Sequence, residues 1–185
     1  MLTAMQRATV IPSSPPSRPR LVLAPVRASR AILDGGWWPR SWDPVAELPG
    51  LVLALSDRYG RIRNVILNNG AWDSRFRRLV VGTDVVRVGW FASLDTALLI
   101  ATTDRGDQLD LLVVPPASTA AAAEQAMTTA ADPTNTMHAP EILTAASAPP
   151  SPIAGIDPNA VWDNEGGNTA TGRPHHRPTK RQSAP

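Results

Sequence analysis

The feature that most constrains the fold is a series of five short apolar segments between residues 61 and 114, separated by turn-forming residues. The segments are rich in β-branched residues, which favour strands, and their connectors include Asn69-Gly70 and Gly82-Thr83-Asp84. Because parallel pairing needs a crossover of about a dozen residues or more, these short connectors favour antiparallel pairing. We therefore predict an antiparallel meander with strands at 61–67, 78–81, 85–91, 96–102 and 108–114.

A helix is predicted before this meander, at residues 41–59. Asp43 is a suitable N-cap, and Pro44 suits the first helical position because its missing N–H has no partner there anyway. An apolar stripe at helical spacing follows, formed by Leu48, Leu51, Val52 and Leu55. Since Pro49 and Gly50 interrupt this stretch, we predict that it is split into two short helices.

One more strand and one more helix complete the predicted domain. The strand at 21–26 is broken by Pro25, which confines it to the edge of a sheet or to a strand end. An Ala-rich helix follows the meander from a cap at Ser118 to residue 131. The sequence therefore predicts an α+β domain with a curved antiparallel sheet of about five to six strands, packed by two helices in two layers.

The two ends of the chain lack the apolar periodicity of its middle. Residues 1–17 are polar and rich in Pro and Ser, and residues 133–185 are rich in Pro, Ala and Thr, with Trp162 among them. Such segments bury too little apolar surface to offset the entropy lost on ordering. We predict a disordered leader at 1–17, a domain at 18–132 and a disordered tail at 133–185.

Composition excludes several common chemistries from the predicted domain. The chain has no Cys, and its single Lys and its three His lie in the predicted tail, at Lys180, His138, His175 and His176. The domain thus has no thiolate, no lysine and no histidine-based triad or metal site. No phosphate-loop or dinucleotide-binding pattern is present either, so we predict no cofactor and no metal.

Charge and hydropathy restrict the partners and the location. No apolar stretch reaches the ~18 residues of a membrane span, and the first residues lack the apolar region of a signal peptide. We therefore predict a soluble, cytoplasmic protein with no membrane partner. The net charge is only +2, and the densest basic run is Arg75, Arg77 and Arg78, so the sequence disfavours nucleic acid as the main partner. It leaves the oligomeric state open.

The most unusual local feature is a Trp-rich loop at 33–43, which holds three of the six tryptophans. In a structural interpretation, the rings cover the edge of the sheet and the loop's arginine pairs with an aspartate. In a functional interpretation, the rings and the guanidinium line a cleft and bind a ligand by stacking and paired hydrogen bonds. The candidate residues of this loop are Asp34, Trp37, Trp38, Arg40, Trp42 and Asp43.

Two groups outside the loop are candidate neighbours of such a site. Trp72 and Asp73 follow the Asn69-Gly70 turn, where an aspartate most often bonds to nearby backbone. Arg87 and Trp90 lie on the predicted strand at 85–91, where the arginine is also suited to a cross-strand ion pair. All four are candidate ligand- or partner-binding residues.

Several motifs in this chain together resemble a known family. They are LDGGWWPRSWD at 33–43, WD at 72–73, VRVGWF at 86–91 and LVVPP at 112–116. Their order and spacing are similar to those of an uncharacterised domain-of-unknown-function family of actinobacterial proteins, across most of residues 21–131. The resemblance implies a compact domain on short chains with variable tails. That family has no established activity, cofactor or partner, so the resemblance assigns no role to any residue.

Three functional hypotheses follow. The first is a non-enzymatic binding or regulatory module that uses the Trp-rich loop to bind a protein or a small molecule, since Trp and Arg are enriched at recognition sites. The second is a small hydrolase-like enzyme in which Asp34, Asp43 or Asp73 acts as acid or base. The third is weak nucleic-acid binding through an arginine face at Arg75, Arg77 and Arg78.

Overall fold

The computed structural model describes residues 8–148, and every structural statement below concerns that part of the chain. Its strands are β1 (Thr9–Val10), β2 (Leu21–Leu23), β3 (Gly35–Trp37), β4 (Ile62–Asn68), β5 (Arg78–Val81), β6 (Asp84–Phe91), β7 (Leu98–Thr103) and β8 (Gln108–Val113). Its helices are α1 (Pro44–Tyr59), α2 (Ala120–Ala130) and α3 (Ala139–Ser147). The predicted α+β class is confirmed. Trp162, His175 and His176 lie outside the described residues.

The eight strands form one mixed sheet in the order β1-β5-β6-β4-β7-β8-β3-β2. The pairs β1–β5, β3–β8 and β4–β6 are parallel, so the prediction of an antiparallel sheet with five to six strands is wrong. The chain leaving β4 passes to β5 and returns through a hairpin, which places β6 between them. Residues 69–83, including β5, thus form the crossover that parallel pairing requires, and the short turns conceal it.

The five predicted strands of the meander occur within two residues of their expected bounds, but β3 was missed. The sequence predicts a loop at residues 33–43, whereas Gly35 and Gly36 belong to β3. A Cβ added at Gly36 would lie 2.7 Å from the Cα of Met127 on α2. The glycine therefore permits close packing of the helix on the strand. Strand β2 pairs with β3 at the sheet edge and ends before Pro25, which agrees with the predicted position at an edge or a strand end.

Helix α1 is a single helix, so the predicted split at Pro49 is wrong. Asp43 caps it as expected, its Oδ1 accepting a hydrogen bond from Val45 N at 2.9 Å. The apolar stripe of the helix is almost completely buried, and a split would remove part of that stripe from the core. Gly50, which follows Pro49, packs directly against the chain at Ser17: an added Cβ would lie 1.9 Å from the carbonyl oxygen of Ser17.

The helices pack on opposite faces of the sheet, which corrects the predicted two-layer arrangement. On β8, Leu109 and Leu111 join the core under α1, whereas Leu112 joins the cluster under α2 and α3. Helix α2 packs on β2, β3 and β8, and α3 packs on α2. These two helices therefore cover one end of their face, and the other end, over β5 and β6, is open: Val85 is 47% exposed and Phe91 is 52% exposed.

Two elements lie in segments where the sequence predicted disorder. Strand β1 pairs with β5 in parallel, within the predicted leader. Helix α3 lies within the predicted tail and begins after His138, which occupies its N-cap position. Regular secondary structure therefore extends beyond 18–132 on both sides, while the division of the whole chain into leader, domain and tail stays a prediction.

Candidate functional site

The Trp-rich loop contributes an aromatic cluster to the core on the α1 side. Trp37 on β3 is fully buried, and its ring stacks on Trp72 with a centroid distance of 5.7 Å and an interplanar angle of 13°. Trp42 meets the same partner edge-on, at 5.2 Å and 90°. Stacked and edge-to-face pairs of this kind stabilise a core beyond the area they bury. Because Trp37 and Trp72 are both buried, neither ring offers a face to a ligand.

Trp38 lies on the opposite side of β3, and its partner is an arginine that the sequence did not single out. The guanidinium carbon of Arg20 lies 3.4 Å from the ring centroid, a cation–π contact. The same guanidinium donates to the carbonyl oxygens of Trp38 at 3.0 Å and Pro39 at 2.7 Å. Partial burial, followed by the charge of Arg40, lowers the pKa of Arg20. This arginine is therefore committed to holding the loop.

The remaining polar candidates of the loop also serve the backbone. Arg40 is exposed and donates to the carbonyl oxygen of Arg18 at 2.9 Å. Asp34 accepts from the backbone N of Asp110 at 2.9 Å and pairs with Arg27 at 3.2 Å. The expected ion pair between Arg40 and an aspartate of the loop is absent among the described residues.

The three aspartates proposed as acids or bases have separate partners, and none of them lines the grooves described below. Asp43 is engaged as the N-cap of α1, and Asp34 lies beside β8. Asp73 is exposed, and its backbone N donates to the carbonyl oxygen of Trp42 at 3.1 Å. None of the three lines a groove together with another, among the cavities found in residues 8–148.

Trp90 and Arg87, both on β6, point to opposite sides of the sheet. The indole Nε1 of Trp90 donates to the carbonyl oxygen of Phe76 at 2.6 Å, and the two rings meet edge-on at 5.9 Å. Trp90 therefore packs against the core on the α1 side. Arg87 lies on the open side and is exposed, because side chains three positions apart on a strand face opposite ways.

A shallow groove of about 430 Å³ crosses the open side of the sheet around Arg87. We call this surface the arginine face and define it by the residues Arg77, Arg78, Arg87, Gly89 and Phe91. A second depression, which Arg75 also lines, shares Arg77 and Phe91 with the first. A third adds Arg61 and Arg63 at the N-terminal end of β4. The arginines at 75, 77 and 78 thus join Arg87 along one surface.

Strand register places the polar residues of the arginine face in a row. Arg78 on β5 is directly opposite Arg87 on β6, which is opposite Asn64 on β4, which is opposite Thr102 on β7. With strands ~4.8 Å apart, this row is about 14 Å long. Two residues along, a parallel row contains Gly89, Ile66 and Ile100. The face therefore has a polar row beside an apolar row.

The arginines of the face have no acidic partner among the described residues. Within residues 8–148, no carboxylate lies at ion-pair distance from Arg77, Arg78 or Arg87. Arg61, which immediately precedes β4, is by contrast paired with Asp84. Like charges directly opposite each other on paired strands destabilise a sheet. The face therefore combines unrelieved positive charge with exposed apolar surface.

The sequence contained a signal for this face that the site prediction used only in part. Residues 85–91 were predicted to be a strand, and their alternation puts Val85, Arg87, Gly89 and Phe91 on one side. Arg87 was a candidate because of its neighbour Trp90, while Phe91 was not a candidate. The pairing of Arg78 with Arg87 follows from the β5–β6 hairpin and was available from the turn at Gly82-Thr83-Asp84.

Two further searches of the described residues gave negative findings. No helix between residues 8 and 148 has both the length and the apolar composition needed to cross a bilayer. In the same range, no three side chains among His, Cys, Asp and Glu come together as a potential metal site.

Comparison with known proteins gives one match. A protein-family model described as a family of unknown function (DUF5994) matches residues 20–130. The predicted resemblance of this part of the chain to a family of unknown function is thereby confirmed. The matched range contains both the Trp-rich loop and the arginine face. No curated protein and no solved structure gives a significant match.

Proposed function

The chain belongs to the DUF5994 family, whose function is unknown, and we propose that it is a non-enzymatic binding module that recognises an anionic partner through its arginine face. The observation that carries this proposal is the cross-strand pair of Arg78 and Arg87 on an open part of the sheet, with no carboxylate partner among the described residues. An anionic ligand relieves that repulsion and forms charge-assisted hydrogen bonds with both guanidinium groups.

The lining of the groove supports binding rather than catalysis. It comprises arginines, an asparagine, a threonine and apolar residues, without a carboxylate or an imidazole to act as acid or base. Arginine suits this role because its planar guanidinium binds carboxylates and phosphates in a bidentate manner.

We place the recognition surface here rather than in the Trp-rich loop. Trp37 of the loop and its stacking partner Trp72 are both buried, and the guanidinium of Arg20, which contacts the loop, is already bonded to two carbonyl groups. On the arginine face, the guanidinium groups and the ring of Phe91 are accessible. The sequence-based grounds given above also lead us to propose a cytoplasmic location.

Retention on phosphocellulose tests this proposal with variants of equal net charge. We expect the double variant Arg78→Gln/Arg87→Gln to elute at a clearly lower salt concentration than the wild type. The matched control, Arg30→Gln/Arg40→Gln, removes two exposed charges elsewhere, one of them in the Trp-rich loop, and we expect it to elute close to the wild type. Equal elution of the two double variants would show that overall charge, and not this face, causes retention.

A further inference from the structure

The arginine face also presents an aromatic ring. Phe91 lies on the same side of β6 as Arg87 and Gly89, since the three alternate along the strand. A Cβ added at Gly89 would lie 3.1 Å from Cε2 of Phe91, so the ring lies over the glycine. The side chain is 52% exposed, and none of the aromatic pairs found in residues 8–148 includes it. Part of this ring is therefore accessible to a ligand.

Cations and apolar surface are arranged in adjacent lines. The polar row contains Arg78, Arg87, Asn64 and Thr102, and the apolar row lies two residues along the strands, ~7 Å away. Phe91 continues the apolar side of the face. A single strand of nucleic acid has the matching form, because its phosphates follow one line and its unstacked bases another.

The shape of the face favours a single strand over a duplex. The major groove of DNA admits an α-helix or a two-stranded ribbon, and the central part of a broad sheet is neither. Single strands instead lie on open sheet surfaces, where aromatic side chains stack on the bases. An acidic peptide would neutralise Arg78 and Arg87 and leave Phe91 without a role.

We infer that the anionic partner of the arginine face is single-stranded nucleic acid. The guanidinium groups of Arg78 and Arg87 contact phosphates, and a base stacks on Phe91. This inference rests on the proposed function, which it narrows from an anion to one class of ligand.

The test is fluorescence anisotropy with labelled oligonucleotides of about 12 nucleotides, a length within the range bound by single-strand modules. The ligands are oligo(U), oligo(dT), a duplex of the same length and a polyglutamate peptide of equal charge. We expect both single strands, or one of them, to bind more tightly than the duplex and the peptide. A preference between the two single strands identifies RNA or DNA as the source.

Substitutions separate stacking from charge. We expect Phe91→Ala to weaken single-strand binding by about tenfold, and Phe91→Trp to retain it, because base stacking depends on the ring. Arg78→Gln should reduce the slope of log affinity against log salt by about 0.7, the value for one phosphate contact on a single strand. The matched control is Leu53→Ala on α1, an apolar residue that is 40% exposed, and it should leave the affinity unchanged.

The possible failures distinguish this inference from the proposed function. Unchanged affinity of Phe91→Ala, or polyglutamate that binds as tightly as the single strands, would overturn the inference and leave an anion-binding face. Tighter binding of the duplex would overturn it as well. If no ligand binds, and the two double variants elute together from phosphocellulose, both proposals are wrong.

Discussion

The Trp-rich loop and the arginine face contain the same residue types, aromatic rings beside arginines, but the two regions differ in what those groups contact. In the loop, Trp37 is enclosed by Trp72, and the ring of Trp38 and two carbonyl oxygens hold the guanidinium of Arg20, which lies outside the loop. On the face, Arg78 and Arg87 oppose each other without a carboxylate partner among the described residues. Residue type alone does not identify a site. What matters is whether the rings are already buried and whether the guanidinium groups already have partners in the folded chain.

The largest expected difference between the regions is in stability. Trp37→Ala removes a fully buried ring, and we expect the free energy of unfolding to fall by about 3–5 kcal/mol. Phe91→Ala on the face should change it by no more than about 0.5 kcal/mol. Urea unfolding followed by circular dichroism measures both. Equal losses of unfolding free energy in the two variants would contradict the distinction between the buried ring of Trp37 and the exposed ring of Phe91.

A smaller effect comes from two glycines, one in each region. Gly36→Ala would bring a Cβ to 2.7 Å from the Cα of Met127, and we expect a loss of about 1–3 kcal/mol in the same unfolding assay, because backbone must shift. The added Cβ of Gly89→Ala would meet the Phe91 ring at 3.1 Å, and the ring can move, while Cγ1 of Ile66 lies at an ordinary contact distance of 3.7 Å. We expect Gly89→Ala to cost less than about 0.5 kcal/mol. A more costly Gly89→Ala would mean that Phe91 is fixed.

Charge reversal separates folding from binding on the arginine face. Arg78→Glu replaces a like-charge cross-strand pair with an opposite-charge pair, so we expect the free energy of unfolding to rise by about 0.2–1 kcal/mol. Phosphocellulose retention should fall at the same time. The control, Arg30→Glu, lies on neither strand, and we expect no gain in stability from it. A loss of stability in Arg78→Glu would show that the two guanidinium groups do not repel each other.

The smallest effect concerns Asp110 on β8, which lies in the part of the sheet that α2 and α3 cover. Burial, its largest cause, raises the pKa of this carboxyl above its ordinary value of 3.8. Its contribution to stability is therefore fully present below pH 3.8 and is lost as the pH rises through the raised pKa. We expect Asp110→Asn to reduce this decline in unfolding free energy above pH 3.8. An unchanged pH profile would mean that the carboxyl of Asp110 is solvated in the folded protein and that burial does not raise its pKa.

The parts of the fold that could be predicted are those governed by local chemistry. The cap at Asp43, the edge position of the first strand and the strands of the meander follow from residues close together in sequence. The parallel pairing of β4 with β6 depends on β5 lying outside the hairpin, which no local pattern encodes. Gly36 was assigned to a loop rather than a strand because the close approach of α2 comes from residues about 90 positions away.

The same reason explains the outcome for the candidate site. Tryptophans clustered in sequence drew attention to residues 33–43, but burial is decided by Trp72 and α1, which meet the loop only in the folded chain. Arg78 and Arg87 are nine positions apart and become neighbours through one hairpin. Whether a carboxylate lies near them depends on the folded arrangement of the chain, and none does among the described residues.

The most direct test of the account follows both regions in one experiment. Two-dimensional ¹H–¹⁵N spectra resolve the Nε–H signals of arginines and the indole Nε1–H signals of tryptophans, and oligo(U) or oligo(dT) is added stepwise. We predict that the Nε–H signals of Arg78 and Arg87 shift together with the amide of Phe91, while the indole signals of Trp37 and Trp72 stay in place. Shifts confined to the indoles and to Arg20 or Arg40 would place recognition in the Trp-rich loop and contradict the account.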